Sequence, residues 1–355
     1  MKTPIYAAIT LGLSAVAANA GGLDRSGQWV NDIFQTGSVA KLSYSSTNPK
    51  LSGTSTGNIA QNFSVASGSY KTDLNDKVSV AVIWDQPFGS SIAYEAGTAS
   101  TGQGITAQLS SNALTGILRY KLDNGLSFHG GLRAQTIEGN IALPYTAYTL
   151  DLAADTGFGY LAGVAYERPE IALRVSLTYN SKINHTFAST DTIAGTVTNP
   201  TTASATPESW NLEFQSGIAA DTLLFGSVRF SPWSEFSLPA AGLGGGNLAS
   251  LSDSTDYTLG VGRKLNDTWS VSAVYGWSGG SNAATASALS PTGGNDSIAL
   301  AAIYTKDAIK VTTGIRYTKL ADTNGTIGTA AGPAVIGRFD GNSALSAGLS
   351  VAYTF

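Results

Sequence analysis

The chain has 355 residues and is poor in charge: only 12% of them are Asp, Glu, Lys or Arg, and the net charge is −4. A soluble domain normally carries about a quarter charged residues, and a nucleic-acid-binding domain is basic, so the composition argues against both classes. The absence of cysteine excludes disulfides and thiolate metal sites. We predict no cofactor.

The first twenty residues have the layout of a secretory signal peptide. Lys2 gives a basic start, residues 5–17 are apolar, and Ala18-Asn19-Ala20 is a small-residue cleavage site. We therefore predict a signal peptide over residues 1–20 and a mature chain from Gly21. No run of about 18 apolar residues follows, so we predict no transmembrane helix.

Short segments in which apolar and small polar residues alternate recur along the rest of the chain. This period predicts β-strands with one apolar and one polar face. The predicted strands lie near residues 38–47, 60–71, 77–85, 105–121, 125–137, 158–168, 171–183, 208–219, 222–231, 254–265, 268–278, 296–304, 309–319 and 344–355. There are fourteen of them, and single-chain bacterial barrels have an even number of strands.

The connections between these strands alternate in length. Tight turns are predicted near residues 121–125, 167–170, 219–222, 265–268 and 305–308. Long polar stretches are predicted as loops over residues 184–207, 232–253, 279–295 and 320–343. Short periplasmic turns and long extracellular loops are typical of membrane barrels. The predicted fold class is all-β: a transmembrane antiparallel β-barrel of about fourteen strands over residues 38–355.

The last predicted strand indicates the cellular location. Leu345, Leu349, Val351, Tyr353 and Phe355 share one face, and small or polar residues share the other. A final strand that closes on Phe resembles the last strand of bacterial outer-membrane barrels. The resemblance implies the bacterial outer membrane, contact with outer-membrane lipid and recognition of Phe355 by the barrel-assembly machinery.

Aromatic residues cluster near the predicted strand ends. Amphipathic rings at such positions form girdles at the two membrane interfaces. The predicted girdle residues are Tyr120, Tyr166, Tyr179, Trp233, Trp269, Tyr275, Trp277, Tyr304, Tyr317 and Phe355.

The strand period also assigns the arginines to a face. An Arg on the lipid face near the membrane midplane costs about 2–4 kcal/mol, so arginines that alternate with apolar residues must face the lumen. The lumen-facing set is Arg119, Arg133, Arg174, Arg229 and Arg316. Two interpretations stay open: interior ion pairs with groups such as Glu167 and Glu213, or binding of an anionic head group, because the guanidinium fork fits a carboxylate.

Catalytic and metal-binding patterns are absent from the sequence. It contains only two histidines, of which His129 is predicted to face the lumen and His185 to lie in a loop without a metal-ligand partner at suitable spacing. There is no Gly-x-Ser-x-Gly elbow and no phosphate-binding loop in a suitable context. We predict that the protein is not an enzyme.

With these features, the chain resembles the FadL/TodX-type family of outer-membrane transporters for hydrophobic compounds. The similarity rests on Trp84-Asp-Gln-Pro-Phe-Gly89 and on residues 20–28, 40–53, 217–229 and 257–270. It implies a fourteen-stranded barrel with an N-terminal plug, the hatch. It also implies binding of long-chain fatty acids or other hydrophobic compounds, which leave sideways through a gap at a kinked third strand.

The expected gap lies at Pro87, Phe88 and Gly89. Pro87 cannot donate a ladder hydrogen bond and Gly89 contributes no side chain, so a break in the third strand is physically reasonable. The other interpretation is that the strand simply ends at Asp85 and that Pro87 begins a loop.

The hatch would comprise residues 21–37, which is short for this family. The family's Asn-Pro-Ala motif before the first strand is missing, because Asn48-Pro49-Lys50 follows that strand. Trp29 and Phe34 would contact an apolar ligand or anchor the hatch to the wall. The predicted function is passive transport of a hydrophobic small molecule; the alternatives are a polar-solute porin and a structural or adhesive barrel.

Overall fold

A computed structural model describes residues 23–95, 102–279, 285–329 and 332–355. The predicted signal peptide and the first two residues of the predicted hatch lie outside the described residues. No helix in these four ranges is long and apolar enough to cross a membrane.

Fourteen strands, labelled β1 to β14, make up the main sheet, and three of them have two segments each. They are β1 (Val39–Lys50), β2 (Phe63–Asp73), β3 (Val78–Asp85 and Gly89–Ala93), β4 (Thr106–Lys121), β5 (Leu126–Leu143), β6 (Tyr148–Arg168), β7 (Leu173–Asn180 and Ile183–Ile193), β8 (Thr201–Thr206 and Ser209–Ala219), β9 (Thr222–Ser231), β10 (Ser254–Lys264), β11 (Trp269–Gly279), β12 (Asn295–Lys306), β13 (Ile309–Leu320) and β14 (Ser343–Thr354).

Each strand pairs antiparallel with its neighbour in the chain, and β14 closes the sheet against β1. The closing register runs from Val39 opposite Thr354 to Lys50 opposite Ser343. Closure joins the first strand to the last, so neither β1 nor β14 has a free edge in the membrane. The predicted fold, a closed all-β antiparallel barrel of fourteen strands, is confirmed.

The two faces of β14 are the predicted ones. Leu345, Leu349 and Tyr353 are exposed on the outer surface, whereas Ser346 and Ser350 are buried inside. The same phase places the exposed rings of Tyr120, Trp269, Tyr275, Trp277, Tyr317 and Phe355 on the outer surface. Trp233 is the exception among the predicted girdle residues. It is completely buried inside the barrel, so its assignment to the girdle was wrong.

The stretch 184–207, predicted as a loop, is largely β-strand. The second segment of β7 pairs with β6 and with the first segment of β8, so that His185 lies on a strand and faces inward. Here Phe187 points inward while Asn184 and Thr186 point outward, the reverse of the phase within the membrane. The outer surface of this part of the wall carries polar groups suited to water, and the lipid-face pattern does not detect it.

The loops at the end of the barrel that carries the second segment of β7 pack together and cover this end with an apolar cap. Five short strands, Ser52–Gly53, Gly57–Asn58, Thr285–Ser287, Thr323–Thr329 and Gly332–Phe339, form a small sheet, two of them within the predicted loop 320–343. The largest cluster of buried apolar residues lies beneath them and includes Ile59, Ile105, Leu150, Trp233 and Phe339. In membrane barrels the end with long connections faces the cell exterior, so this core lies at the extracellular end.

Candidate functional site

Residues 23–38 pack against the inward-facing side of the barrel. A 3-10 turn, Asn31–Phe34, presents Asp32 to the Lys41 ammonium at 2.6 Å and to the Ser69 hydroxyl at 2.7 Å. Burial alone would raise the pKa of Asp32, but Lys41, Ser69 and Gln35 together hold it below its ordinary value. Asp32 is therefore an ionised anchor that ties this segment to β1 and β2.

Phe34 fills a site between two of the predicted arginines. Its ring lies edge-on to His129, with 5.4 Å between centroids, and the guanidinium carbons of Arg119 and Arg174 lie 4.6 and 4.8 Å from its centroid. These are cation–π distances. Phe34 thus packs against the wall and does not point into open lumen.

Arg229 holds the beginning of the same segment. Its Nη2 lies 2.8 Å from Asp24 Oδ1, and Nη1 donates to Ser209 and Asn211 at 2.8 and 2.9 Å. The Trp233 indole also donates to Asp24, at 3.1 Å. Both members of the ion pair are almost completely buried, so removal of either one would leave the charge of the other buried without a partner.

Two more of the predicted arginines are engaged within the wall. Arg119 pairs with Glu167 and donates to Ser127, and Arg133 donates to Thr115 and Asn180 at 2.9 and 3.0 Å. These contacts match the interpretation of the inward arginines as interior pairing groups.

Arg316 differs from the other four. In the four described ranges its guanidinium has no hydrogen-bond or ion-pair partner. It lines a polar cavity that is also lined by Trp29, Lys41, Asp85 and Glu213. The structure therefore brings the predicted residues Trp29, Arg174 and Arg316 to one cavity, beside the anchored segment.

β3 is interrupted at the predicted position, and the N-terminal segment completes its hydrogen bonding. The Arg25 amide donates to the Pro87 carbonyl at 2.7 Å, and the Gly89 amide donates to the Leu23 carbonyl at 2.8 Å. The Phe88 amide donates to the Ser111 hydroxyl, which in turn donates to the Phe88 carbonyl. The strand resumes at Gly89 beside β4, so it does not end at Asp85.

The interruption leaves a gap between β2 and β3. Their ladder runs from Asp73–Ser79 to Gly68–Trp84, and one further contact follows, from the Ala66 amide to the Gln86 side chain. Backbone pairing returns only where the Gln61 amide donates to the Ser91 carbonyl. No ladder connects residues 62–65 with residues 87–90, and we call this gap the window.

An apolar pocket, here called the aromatic pocket, adjoins the window on the inside. It is lined by Leu23, Phe88, Phe187, Trp233, Phe236 and Leu238. The rings of Phe88 and Trp233 meet edge-on with 5.4 Å between centroids. Sequence reasoning missed the residues from the loop 232–253; three large apolar residues within six positions of a polar loop were the available signal.

A closed fourteen-stranded barrel with an apolar outer face, a buried N-terminal segment and an internal apolar pocket defines an outer-membrane channel protein. A family model for outer membrane protein transport proteins (OMPP1/FadL/TodX) matches residues 24–355. The chain belongs to this family, and its location is the bacterial outer membrane. The resemblance seen in the sequence is confirmed.

Solved structures show the same fold at low identity. A FadL homologue of Pseudomonas aeruginosa has a TM-score of 0.74 at 14% identity, with 91% of each chain covered. The toluene transporter TodX of Pseudomonas putida has a TM-score of 0.66 at 12% identity, covering 95% of this chain and 96% of that one. The monoaromatic hydrocarbon channel CymD has a TM-score of 0.60 at 13% identity, with 93% and 90% covered. No curated protein has significant sequence similarity to the chain.

Proposed function

We propose that this protein carries hydrophobic small molecules, long-chain fatty acids or similar amphiphiles among them, passively from outside the cell into the outer membrane. Residues 21–37 act as the hatch, and cargo leaves sideways through the window. The observation that carries the proposal is the missing β2–β3 ladder directly beside the aromatic pocket. In a membrane barrel, neighbouring strands normally hydrogen-bond along their whole length, because an unpaired backbone group is costly in lipid. An interrupted ladder is therefore an unusual feature.

The position of the window suits release into lipid. Trp84 and Leu114, which pair across β3 and β4 immediately below it, are exposed on the outer face, as is Tyr44 on β1. Aromatic residues mark the interface of the apolar band, so the window opens near its outer edge. The aromatic pocket would have to widen to admit cargo, and cargo there would reach lipid without crossing the polar cavity around Arg316.

We further propose that one of the five predicted arginines binds the anionic head group of the cargo. The contacts of the five reduce the number of candidates. Four of them contact Glu167, Asp24, Phe34 or neutral groups of the wall. If these arginines turned to a ligand, their buried partners would be left without a hydrogen bond or an opposite charge, which is destabilising. Arg174 and Arg316 both line the cavity, but of the five only Arg316 has no hydrogen-bond or ion-pair partner among the described residues, so it is the one we expect to accept an anionic group in the lumen.

A disulfide across the window tests lateral exit directly. The chain has no cysteine, so the double variant Ala66→Cys with Gln86→Cys introduces one defined pair beside the gap. Uptake of a labelled fatty acid and of toluene into proteoliposomes should fall to the level of protein-free vesicles when this pair is oxidised. Reduction should restore it.

The matched control is Tyr70→Cys with Val82→Cys, a directly opposed pair in the intact part of the same ladder. Oxidation of the control should leave uptake unchanged. Equal uptake through the oxidised window variant would refute lateral exit. Two different cargoes are used because the similar solved structures include a toluene transporter and a monoaromatic hydrocarbon channel.

The polar cavity favours one second candidate, a porin for polar solutes. Lys41 and Arg316 line it together with Asp85 and Glu213, and charges of both signs are typical of porin constrictions. A porin predicts steady ion conductance in planar bilayers, whereas a sealed hydrophobic transporter predicts little conductance and saturable uptake.

A further inference from the structure

Arg25 occupies the window from the inside. The hydrogen bond from its backbone amide to the Pro87 carbonyl and the β-bridge between Asp24 and Phe88 align the N-terminal segment with the broken part of β3. The side chain then runs past Gly89, where an added Cβ would lie only 3.2 Å from its Nε. Its guanidinium carbon ends 3.4 Å from the centroid of Phe63, a β2 residue on the other side of the gap.

This guanidinium has no anionic partner. Over the described ranges, the Arg25 side chain makes no ion pair and no hydrogen bond, and its one close polarised contact is the Phe63 ring. The adjacent carboxylate, Asp24, is committed to Arg229 and Trp233. Burial lowers the pKa of Arg25 to about 10, so the group still carries its charge at neutral pH. The side chain is partly exposed to the surrounding crevice and makes no hydrogen bond there, so an anion that entered the window would give it the charged partner it lacks.

The surroundings suit the anion of an amphiphile. The crevice around Arg25 is lined by the apolar residues Leu51, Ala60, Ile92, Leu289 and Leu320 and by the neutral polar residues Gln61, Ser90 and Ser91. Among the described residues that line it, Asp24 is the only charged one besides Arg25. An acyl chain would bury apolar surface here while its head group meets one cation.

We propose that Arg25 and this crevice form a carboxylate site at the threshold of the window, where the head group of a fatty-acid-like cargo pairs with the guanidinium before release. The proposal rests on the proposed function and assigns its cargo class at that step: carboxylate amphiphiles in preference to neutral ones of equal length. Pairing with the carboxylate would draw Arg25 away from Phe63, so binding and clearing of the window would coincide.

Calorimetry on the full-length protein in nanodiscs of zwitterionic lipid tests this at neutral pH, with dodecanoate and 1-dodecanol as probes. Wild type should bind dodecanoate more tightly than dodecanol. Arg25→Gln should weaken dodecanoate binding about 10- to 100-fold, the usual range for a charge-assisted hydrogen bond, and leave dodecanol binding unchanged. Arg25→Lys should recover part of the preference, because it keeps the charge without the bidentate fork.

Arg168→Gln is the matched control, because it removes an exposed arginine beside the turn at Pro169–Ile171, away from the window and from the cavity around Arg316, and should not alter the preference. An equal loss for both probes in Arg25→Gln would overturn the proposal, since it would indicate a structural role. If wild type bound both probes equally, the Arg25 site would be wrong while the proposed function stood; if it bound neither, both would fail. Loss of dodecanoate binding in nanodiscs with an anionic phospholipid would assign the site to lipid head groups and overturn the cargo assignment.

Discussion

At the scale of single residues, the Asp24–Arg229 ion pair is the most deeply buried of the ion pairs described above. Both side chains are at least 98% buried, and they are 205 positions apart in the chain. Removing one partner of a buried pair leaves an uncompensated charge, which costs about 3–5 kcal/mol. Asp24→Asn should therefore weaken the docking of the hatch. Limited proteolysis of the folded protein should show faster cleavage within residues 23–38.

Two further variants separate this effect from a general loss of stability. The double variant Asp24→Asn with Arg229→Met removes both charges and should recover much of the protection. Glu170→Gln breaks the exposed Arg168–Glu170 pair, which contributes at most about 1 kcal/mol, and should change nothing. Unchanged cleavage in Asp24→Asn would mean that the pair does not hold the hatch.

The inward direction of Arg229 could be predicted from sequence, but its partner could not. The alternation of residues 228–230 fixes which face each side chain takes, because lipid rejects charge. The partner depends on where a separate segment lies in the lumen, and no local period encodes that position. The same limit applied to Phe34, whose contacts with Arg119 and Arg174 come from two different strands.

At the scale of elements, the strands within the membrane were predictable and their extensions beyond it were not. The second segment of β7 turns its apolar side chains inward, so a pattern that expects apolar residues on the outer face predicts a loop there. The break in β3 was predictable because Pro87 lacks a donor. That the hatch would satisfy Pro87 and Gly89 was not, because those bonds join segments about 64 residues apart.

The β3 break yields a prediction at this scale. The register between β2 and β3 is the same on both sides of the window, so the ladder can close without a slip. Pro87→Val restores a backbone donor, and Gly89→Val places side-chain atoms where Arg25 now runs. Together they should close the gap and lower uptake of a labelled fatty acid. Gly116→Val on β4, where a Cβ meets no atom within 4 Å, is the matched control; unaltered uptake in the double variant would contradict lateral exit.

At the scale of the whole molecule, residues 23–25 and the window are joined by hydrogen bonds into one unit. Withdrawal of residues 23–25 would leave the Pro87 carbonyl and the Gly89 amide without partners, so displacement of the hatch must alter the strand break. The other end of the hatch is tied by Asp32 to Lys41 and Ser69. Loss of the Asp32 contacts is therefore expected to loosen the whole segment from the wall and to open the lumen.

Acidification should release that anchor. Because the folded-state pKa of Asp32 lies below the ordinary value of about 4, its contribution to docking is complete above that pH and is lost as the pH falls through the folded pKa. Arg174 and Glu213 line the same cavity. Protonation of Glu213 in acid would remove a negative charge there and would not restore the contact between Asp32 and Lys41. Single-channel conductance should therefore be low at neutral pH and rise reversibly in strong acid. A variant lacking residues 21–37 should conduct at both pH values, and Asp32→Asn should conduct at neutral pH. A pH response that persists without the hatch would show that the barrel wall, and not the Asp32 anchor, controls the opening.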